Sequence, residues 1–134
     1  MRVINFTIGC ILLILTISVT SSFATIGEVS ITSGSAVIDR QDGDKGITVE
    51  KELDIFSYDT VKTGNGKVGI SFIDETRVDV TEHSKLIIDE FVYDPKTKTG
   101  SLTLKATLGT VRYASGQIAK NSKQNVKIST PTAT

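Results

Sequence analysis

The chain has 134 residues, and its 15 basic and 15 acidic side chains give a formal net charge of zero. That length suits one domain. If an N-terminal leader is removed, about 110 residues remain, and a domain of that size can be stable without disulfides or metal ions. No stretch concentrates one sign of charge as a phosphate-binding surface does, and Trp is absent. We therefore do not expect nucleic acid as a partner.

The first 24 residues have the layout of a signal peptide. Arg2 precedes an apolar run from Ile8 to Val19, and small residues follow up to Ala24. The run is about a dozen residues long, whereas a membrane-spanning helix needs about 20. We expect residues 1–24 to be a signal peptide cleaved after Ala24, so that the protein is periplasmic or secreted. An uncleaved membrane anchor is the alternative.

The only cysteine, Cys10, lies inside this apolar run. Processing there as a bacterial lipoprotein would leave the hydrophobic run on the mature chain, so we do not expect it. Cleavage after Ala24 instead gives a mature chain with no thiol and no Cys-based metal site. We expect no membrane span after the signal is removed.

Residues 25–134 are predicted to form a single small all-β domain. From Thr25 onward apolar residues recur mainly with period two, and no window of a dozen residues keeps helical spacing. The alternation in Lys67–Ile73, followed by Asp74-Glu75 and Arg77–Val80, predicts a hairpin with one solvent-exposed face. Similar alternation predicts further strands at Glu28–Ile31, Ser35–Ile38, Lys85–Ile88, Ser101–Ala106, Thr110–Tyr113 and Asn125–Ser129.

Turn-forming residues separate these strands. Asn65-Gly66 is the strongest hairpin signal in the chain. No segment is long enough to supply crossover helices, so the short antiparallel strands predict a sandwich-like or β-solenoid-like fold, with a small barrel as a further possibility. The turn segments are Gln41–Gly46, Gly64–Gly66, Asp94–Gly100 and Asn121–Lys123.

The histidine and carboxylate residues of this chain do not form a recognisable catalytic or metal-binding motif. The sole histidine, His83, has no nucleophile elbow with it, so we expect a surface turn residue and keep a hydrolase as the weakest alternative. Asp39, Asp42 and Asp44 come nearest to a calcium loop but lack its spacing and its later bidentate Glu. We therefore expect no enzyme activity, no cofactor and no metal, and nominate no catalytic, cofactor-binding or metal-binding residue.

The order of several segments resembles the periplasmic FecR domain, which belongs to regulators that relay ferric-citrate signals across the inner membrane. Each match is a weak pattern, but together they span nearly the whole of residues 25–134. The matching segments are Gly27–Val29 with Ser33–Val37, Asp59–Val68, Ile70–Val80 with Ser84–Leu86, Leu102–Val111 and Val126–Thr134.

Two departures from the family pattern stand out. Glu75 occupies the place where the family usually has Gly after Asp, and a Gly-Val-Arg-Gly-Thr-like segment is absent after Ala133-Thr134. The sigma-factor-binding region and full transmembrane helix of the regulators are also missing, so transmembrane relay is not carried over. The resemblance implies a β-solenoid-like or sandwich-like fold, a role in protein contact and no catalytic residues.

Three hypotheses about function remain after this reading. The first is an exported binding or sensing module that docks another envelope protein through sheet edges, with Val126–Ser129 and the hairpin around Asn65-Gly66 as the edge candidates. The second is a truncated remnant of a FecR-like protein, and the third is a small hydrolase centred on His83. The sequence identifies neither the partner nor the oligomeric state.

Overall fold

The computed structural model describes residues 24–131, and these form an all-β domain of two sheets with one short helix. The predicted signal peptide, apart from Ala24, and Cys10 lie outside the described residues. The strands are β1 (Gly27–Ser33), β2 (Ala36–Asp39), β3 (Ile47–Thr48), β4 (Asp54–Ile55), β5 (Thr60–Thr63), β6 (Lys67–Phe72), β7 (Arg77–Val80), β8 (Lys85–Asp94), β9 (Thr99–Leu108), β10 (Val111–Ala114) and β11 (Val126–Ser129).

Ten of the eleven described strands form five consecutive pairs, and each pair bends from one sheet into the other. We call each bent pair a ribbon; β11 belongs to none of them. The first sheet has the order β10-β7-β6-β1-β4, and the second has β11-β9-β8-β5-β2-β3. Each ribbon gives one strand to each sheet, in the pairs β1/β2, β3/β4, β5/β6, β7/β8 and β9/β10. Of the two architectures that the sequence favours, the structure is therefore a sandwich, because neighbouring ribbons run antiparallel.

The ribbons bend from one sheet to the other at corners that are hydrogen-bonded to each other. The Gly64 amide donates to the Ser35 carbonyl at 2.9 Å, and the Gly64 carbonyl accepts from the His83 amide at 2.9 Å. The buried Ser84 hydroxyl accepts from the Thr110 amide at 3.0 Å. These hydrogen bonds join the corners of four of the five ribbons into one edge of the sandwich.

Asn65-Gly66 belongs to one of these corners, so the prediction of a hairpin there is wrong. A two-residue Asn-Gly hairpin of the favoured type needs positive φ at both residues, and neither has it. Gly66 is required for close approach instead, because a Cβ on it would lie 2.4 Å from the Ser33 carbonyl oxygen. The segment is also not a sheet edge, since β5 and β6 are central strands.

The core lies between the two sheets and is filled by aliphatic side chains that alternate along the strands. Phe72 and Phe91 face each other across it, with ring centroids 5.4 Å apart. The predicted hairpin of β6 and β7 is confirmed, and Val68, Ile70 and Phe72 are buried on one face. The largest fully buried side chains include Val29, Ile38, Ile55, Val61, Ile70, Val78, Leu86, Ile88, Leu102 and Leu104.

A short helix, α1 (Gln117–Asn121), follows β10 and is in turn followed by a 3-10 turn (Lys123–Asn125). Ile118 is fully buried on the side of α1 that contacts β9. The prediction of strands alone missed this helix, because five residues are too few to show helical spacing. The prediction of uniformly antiparallel strands is wrong at β11, which pairs in parallel with β9.

Candidate functional site

The two sheets are unequal at one side of the sandwich. All five ribbons fill a position in both sheets, but β11 extends the second sheet beyond β9 and has no counterpart in the first sheet among residues 24–131. The first sheet therefore ends at β10 while the second continues for one more strand. We call the place beside β10, on the side away from β7, the vacant strand position.

A groove of about 270 Å³ marks the vacant strand position. One wall is β10 and the other is β11, with α1 and the 3-10 turn between them. Val126 is half-buried and packs against the core, whereas Ile128 is 41% exposed at the mouth. The groove is lined by Tyr113, Ser115, Ala119, Lys123, Val126 and Ile128.

The backbone of β10 presents hydrogen-bonding groups to this groove. In an antiparallel ladder, alternate residues bond to the partner strand and the residues between them point away from it. The Thr81 amide donates to the Thr110 carbonyl at 3.1 Å, which marks Thr110 as a residue that bonds towards β7. Arg112, two residues later, is opposite Asp79, so its N–H and C=O groups also point towards β7. The N–H and C=O groups of Val111 and Tyr113 therefore point into the vacant strand position.

The Tyr113 side chain adds a polar group to the groove. Its hydroxyl oxygen is the one buried side-chain N or O atom without a hydrogen-bond partner in the part of the chain that the structure describes. Burial raises the pKa of Tyr113, the neighbouring Ser115 hydroxyl opposes this rise, and the charge of Asp74 adds to it. A buried hydroxyl without a well-formed hydrogen bond destabilises the protein.

The chain segment that forms the groove is cationic, although Asp74 and Glu75 of the β6–β7 turn contact α1. From Val111 to Pro131 the chain has four basic residues and no Asp or Glu. All 15 acidic residues of the chain precede Pro95, so the formal neutrality hides a strong segregation of charge along the sequence. This segregation corrects the expectation that no stretch of the chain concentrates one sign of charge. The four basic residues are all exposed: Arg112, Lys120, Lys123 and Lys127.

A second depression lies on the outer face of the first sheet, where small residues on β1 and β6 form its floor. It has a volume of about 410 Å³, and Ile31, 69% exposed, stands beside it. Arg77, Asp79 and Arg112 contribute charges of both signs. Apart from Ser30, which lies at the irregularity between Val29 and Ile31 in the β1–β6 register, the residues of β1, β6 and β7 that line this depression are paired with neighbouring strands. This depression therefore lies over paired strands, whereas the vacant strand position lies beside the edge strand β10.

The residues considered from the sequence for catalysis or metal binding lie apart from this groove. His83 is exposed at a corner with a φ of 51°, and its amide donates to Gly64. Asp39 pairs with Lys62 and accepts from the Gly46 amide, an arrangement that lowers the pKa of Asp39. Among residues 24–131, no three His, Cys, Asp or Glu side chains are grouped so that they could hold a metal ion.

A buried ion pair occupies the other end of the sandwich. Arg40 lies 3.1 Å from the Asp59 carboxylate, and its guanidinium stacks 4.5 Å above the Phe56 ring. Asp59 also accepts from the Phe56 amide at 3.0 Å. Burial raises the pKa of Asp59, and the amide and the guanidinium partly offset that rise. All the partners are internal, so this cluster anchors the connection between β4 and β5.

No protein family, curated protein or solved structure matches this chain. Across the residues that the structure describes, none of the helical segments has the length and apolar character that crossing a membrane requires.

Proposed function

We propose that this protein is an exported, non-enzymatic binding module of the bacterial envelope, and that it docks another envelope protein by accepting one of its segments as a strand beside β10. One observation carries the proposal. The backbone groups of Val111 and Tyr113 point away from β7, towards the place of a sixth strand in the first sheet, and Tyr113 lines the groove found there.

An added strand would gain stability from two sources. The outward N–H and C=O groups of Val111 and Tyr113 offer up to about four main-chain hydrogen bonds, each contributing on the order of 1 kcal/mol net. The strand would also cover Val126 and the exposed part of Ile128, at about 25 cal/mol for each Å² of apolar surface removed from water. Main-chain pairing of this kind supplies affinity, and alternate side chains supply selectivity.

The envelope location and the role in protein contact rest on the sequence. The signal-peptide layout of residues 1–24 supports export, and the resemblance to the periplasmic FecR domain supports recognition of another envelope protein. The groove replaces the hairpin at Asn65-Gly66 as a candidate edge and keeps Val126–Ser129 as one wall.

Site-specific photo-crosslinking in intact cells tests the proposal. A photoreactive residue at Ile128, in the groove, is expected to capture one partner reproducibly. The same residue at Tyr58, 42% exposed and just after β4 at the opposite edge of the first sheet, is not. Val111→Pro removes an outward N–H without breaking the ladder to β7 and is expected to abolish the capture, whereas Val111→Thr keeps it. Capture that survives Val111→Pro would exclude strand addition at β10.

Amide hydrogen exchange gives a readout that does not depend on a variant. With the captured partner bound, the amides of Val111 and Tyr113 are expected to exchange more slowly, while the Arg112 amide, which faces β7, changes little. Unchanged exchange at Val111 and Tyr113 would contradict the proposal even if the two proteins bind.

A further inference from the structure

We infer that the vacant strand position selects an acidic segment of another protein, with a carboxylate side chain opposite Arg112 and apolar side chains on either side of it. This inference rests on the proposed function, because it specifies which strand the position beside β10 accepts. It follows from the alternation of side chains on β10 and from the charge around the groove.

The side chains of β10 alternate between the two faces of the first sheet. Val111 and Tyr113 are half-buried and pack against the core, whereas Arg112 and Ala114 are exposed on the outer face. A strand added beside β10 places its residues directly opposite these positions, and directly opposed side chains on one face interact. The residue opposite Arg112 thus lies on the outer face beside a guanidinium.

Arg112 has a carboxylate on one side only. Its neighbour across β7 is Asp79, but the two do not come within ion-pair distance in the described part of the chain. On its other side is the vacant strand position. An Asp or Glu there would face Arg112, whereas a Lys or Arg would place like charges directly opposite each other.

The residues on either side of this carboxylate point to the opposite face, into the groove between β10 and β11. There they meet Tyr113, Val126 and Ile128, which are mainly apolar. An apolar-acidic-apolar alternation fits both faces at once.

Charge complementarity favours a foreign acidic strand over a second copy of this protein. Two β10 strands can form hydrogen bonds through Val111 and Tyr113 of both copies in only one antiparallel register. In that register Val111 of each copy is opposite Tyr113 of the other. That register places the guanidinium of one copy opposite that of the other, and like charges on an edge oppose such pairing. Lys120, Lys123 and Lys127 add attraction for an acidic segment and repulsion between copies.

Three synthetic peptides on the purified protein test the inference. The first has the sequence Thr-Val-Glu-Val-Thr with blocked ends, the second has Lys in place of Glu, and the third is the Glu peptide with N-methyl groups on the two Val amides. Amide chemical shifts report binding residue by residue. The Glu peptide is expected to bind about five- to tenfold more tightly than the Lys peptide, and the N-methylated peptide about as weakly as unrelated sequence.

A pair of charge reversals assigns the selectivity to one residue. Arg112→Glu is expected to reverse the preference so that the Lys peptide binds more tightly. Arg77→Glu is the matched control, because Arg77 is exposed on the same face of β7 but one strand further from the groove. It is expected to leave the preference for Glu in place.

The outcomes separate this inference from the proposed function. Equal binding of the Glu and Lys peptides, with loss on N-methylation, would overturn acidic selection and leave strand docking intact. Equal binding of the Glu peptide and its N-methylated form would overturn both, since it would indicate simple attraction of anions. A protein that dimerises through β10, seen as a doubled mass that Val111→Pro removes, would also overturn selection of a foreign strand.

Discussion

The Asp74 carboxylate accepts a hydrogen bond from the Ile118 amide at 3.3 Å, across 44 residues of sequence. The same carboxylate accepts from the amide and the hydroxyl of Thr76, at 3.0 and 2.8 Å. The Asp74 carbonyl also accepts from the Gln117 amide at 2.7 Å. One buried residue in the β6–β7 turn therefore positions the start of α1, and α1 in turn forms part of the groove.

Replacing Asp74 with Ala is expected to lower the free energy of unfolding by about 3 kcal/mol, because two amides and a hydroxyl lose a buried acceptor. Urea unfolding followed by circular dichroism measures the change. Glu90→Ala is the control, since Glu90 is exposed, and it is expected to stay within about 0.5 kcal/mol of the parent. Equal effects of the two substitutions would show that Asp74 does not hold α1.

Glu75→Gly is expected to stabilise the protein by up to about 1 kcal/mol. Glu75 has a φ of 72°, a left-handed conformation that glycine adopts at lower cost than other residues. The gain is reduced by loss of the exposed hydrogen bond from Gln117 to Glu75. Thermal melting measures the difference, and a lower midpoint for the Gly variant would contradict this account of the turn.

Gly66→Ala is expected to destabilise the protein by about 2 kcal/mol or more, because the new methyl group would press on the backbone of Ser33 and Ser35. Asn65→Ala is the matched control at the adjacent position, where the side chain is exposed. Its effect is expected to be under about 0.5 kcal/mol. A large loss at Asn65 with tolerance at Gly66 would favour a hairpin turn over the observed corner.

Tyr113→Phe is expected to raise the free energy of unfolding by about 1 kcal/mol, since it removes a buried hydroxyl that has no partner and keeps the aromatic ring. Tyr93→Phe is the comparison, and because Tyr93 is only half-buried its hydroxyl is expected to contribute less. Chemical denaturation of both variants measures the contrast. A destabilised Tyr113→Phe protein would imply that the hydroxyl has a partner in solution.

The pKa of Asp59 is expected to lie above its ordinary value of 3.8. Since its folded-state pKa is raised, this carboxyl contributes most to stability below the unfolded pKa, and that contribution is lost as pH rises through the folded pKa. Arg40→Gln is expected to raise the pKa further, because the guanidinium lowers it, whereas Lys62→Gln is expected to leave it unchanged. Carbon-13 NMR titration of the side-chain carboxyl measures these shifts.

Much of the fold follows from local pattern. The period-two runs predicted β1, β2, β6, β7, β9, β10 and β11 within a few residues, because each buries alternate side chains against one core. The prediction for β8 ended at Ile88, whereas the strand continues to Asp94. The sequence analysis missed β3 and β4, since two residues cannot show a period, and it also missed the four-residue strand β5. The corners were not predicted, because a bend between sheets and a hairpin turn contain the same small residues. The two differ only in which strands the flanking segments pair with.

The candidate site was only half predictable. Val126–Ser129 was nominated as an edge from its position and alternation, and the structure places it at the edge of the second sheet. The vacant strand position depends on how many strands each sheet contains, which no local pattern encodes. The basic character of the segment that forms the groove was visible in the sequence, because no Asp or Glu follows Asp94. The net charge of the whole chain conceals this.

The chain crosses from one sheet to the other at five corners along one side of the sandwich. Separating the two sheets would therefore change the backbone conformation of every ribbon. We expect the ten ribbon strands to open and refold as one cooperative unit. β11 is the exception among the described strands, because its only strand partner is β9 and it belongs to no ribbon. Detachment of β11 would therefore expose Val126 but break no pairing between the ribbons. We expect binding in the groove to reduce first the local opening of this strand.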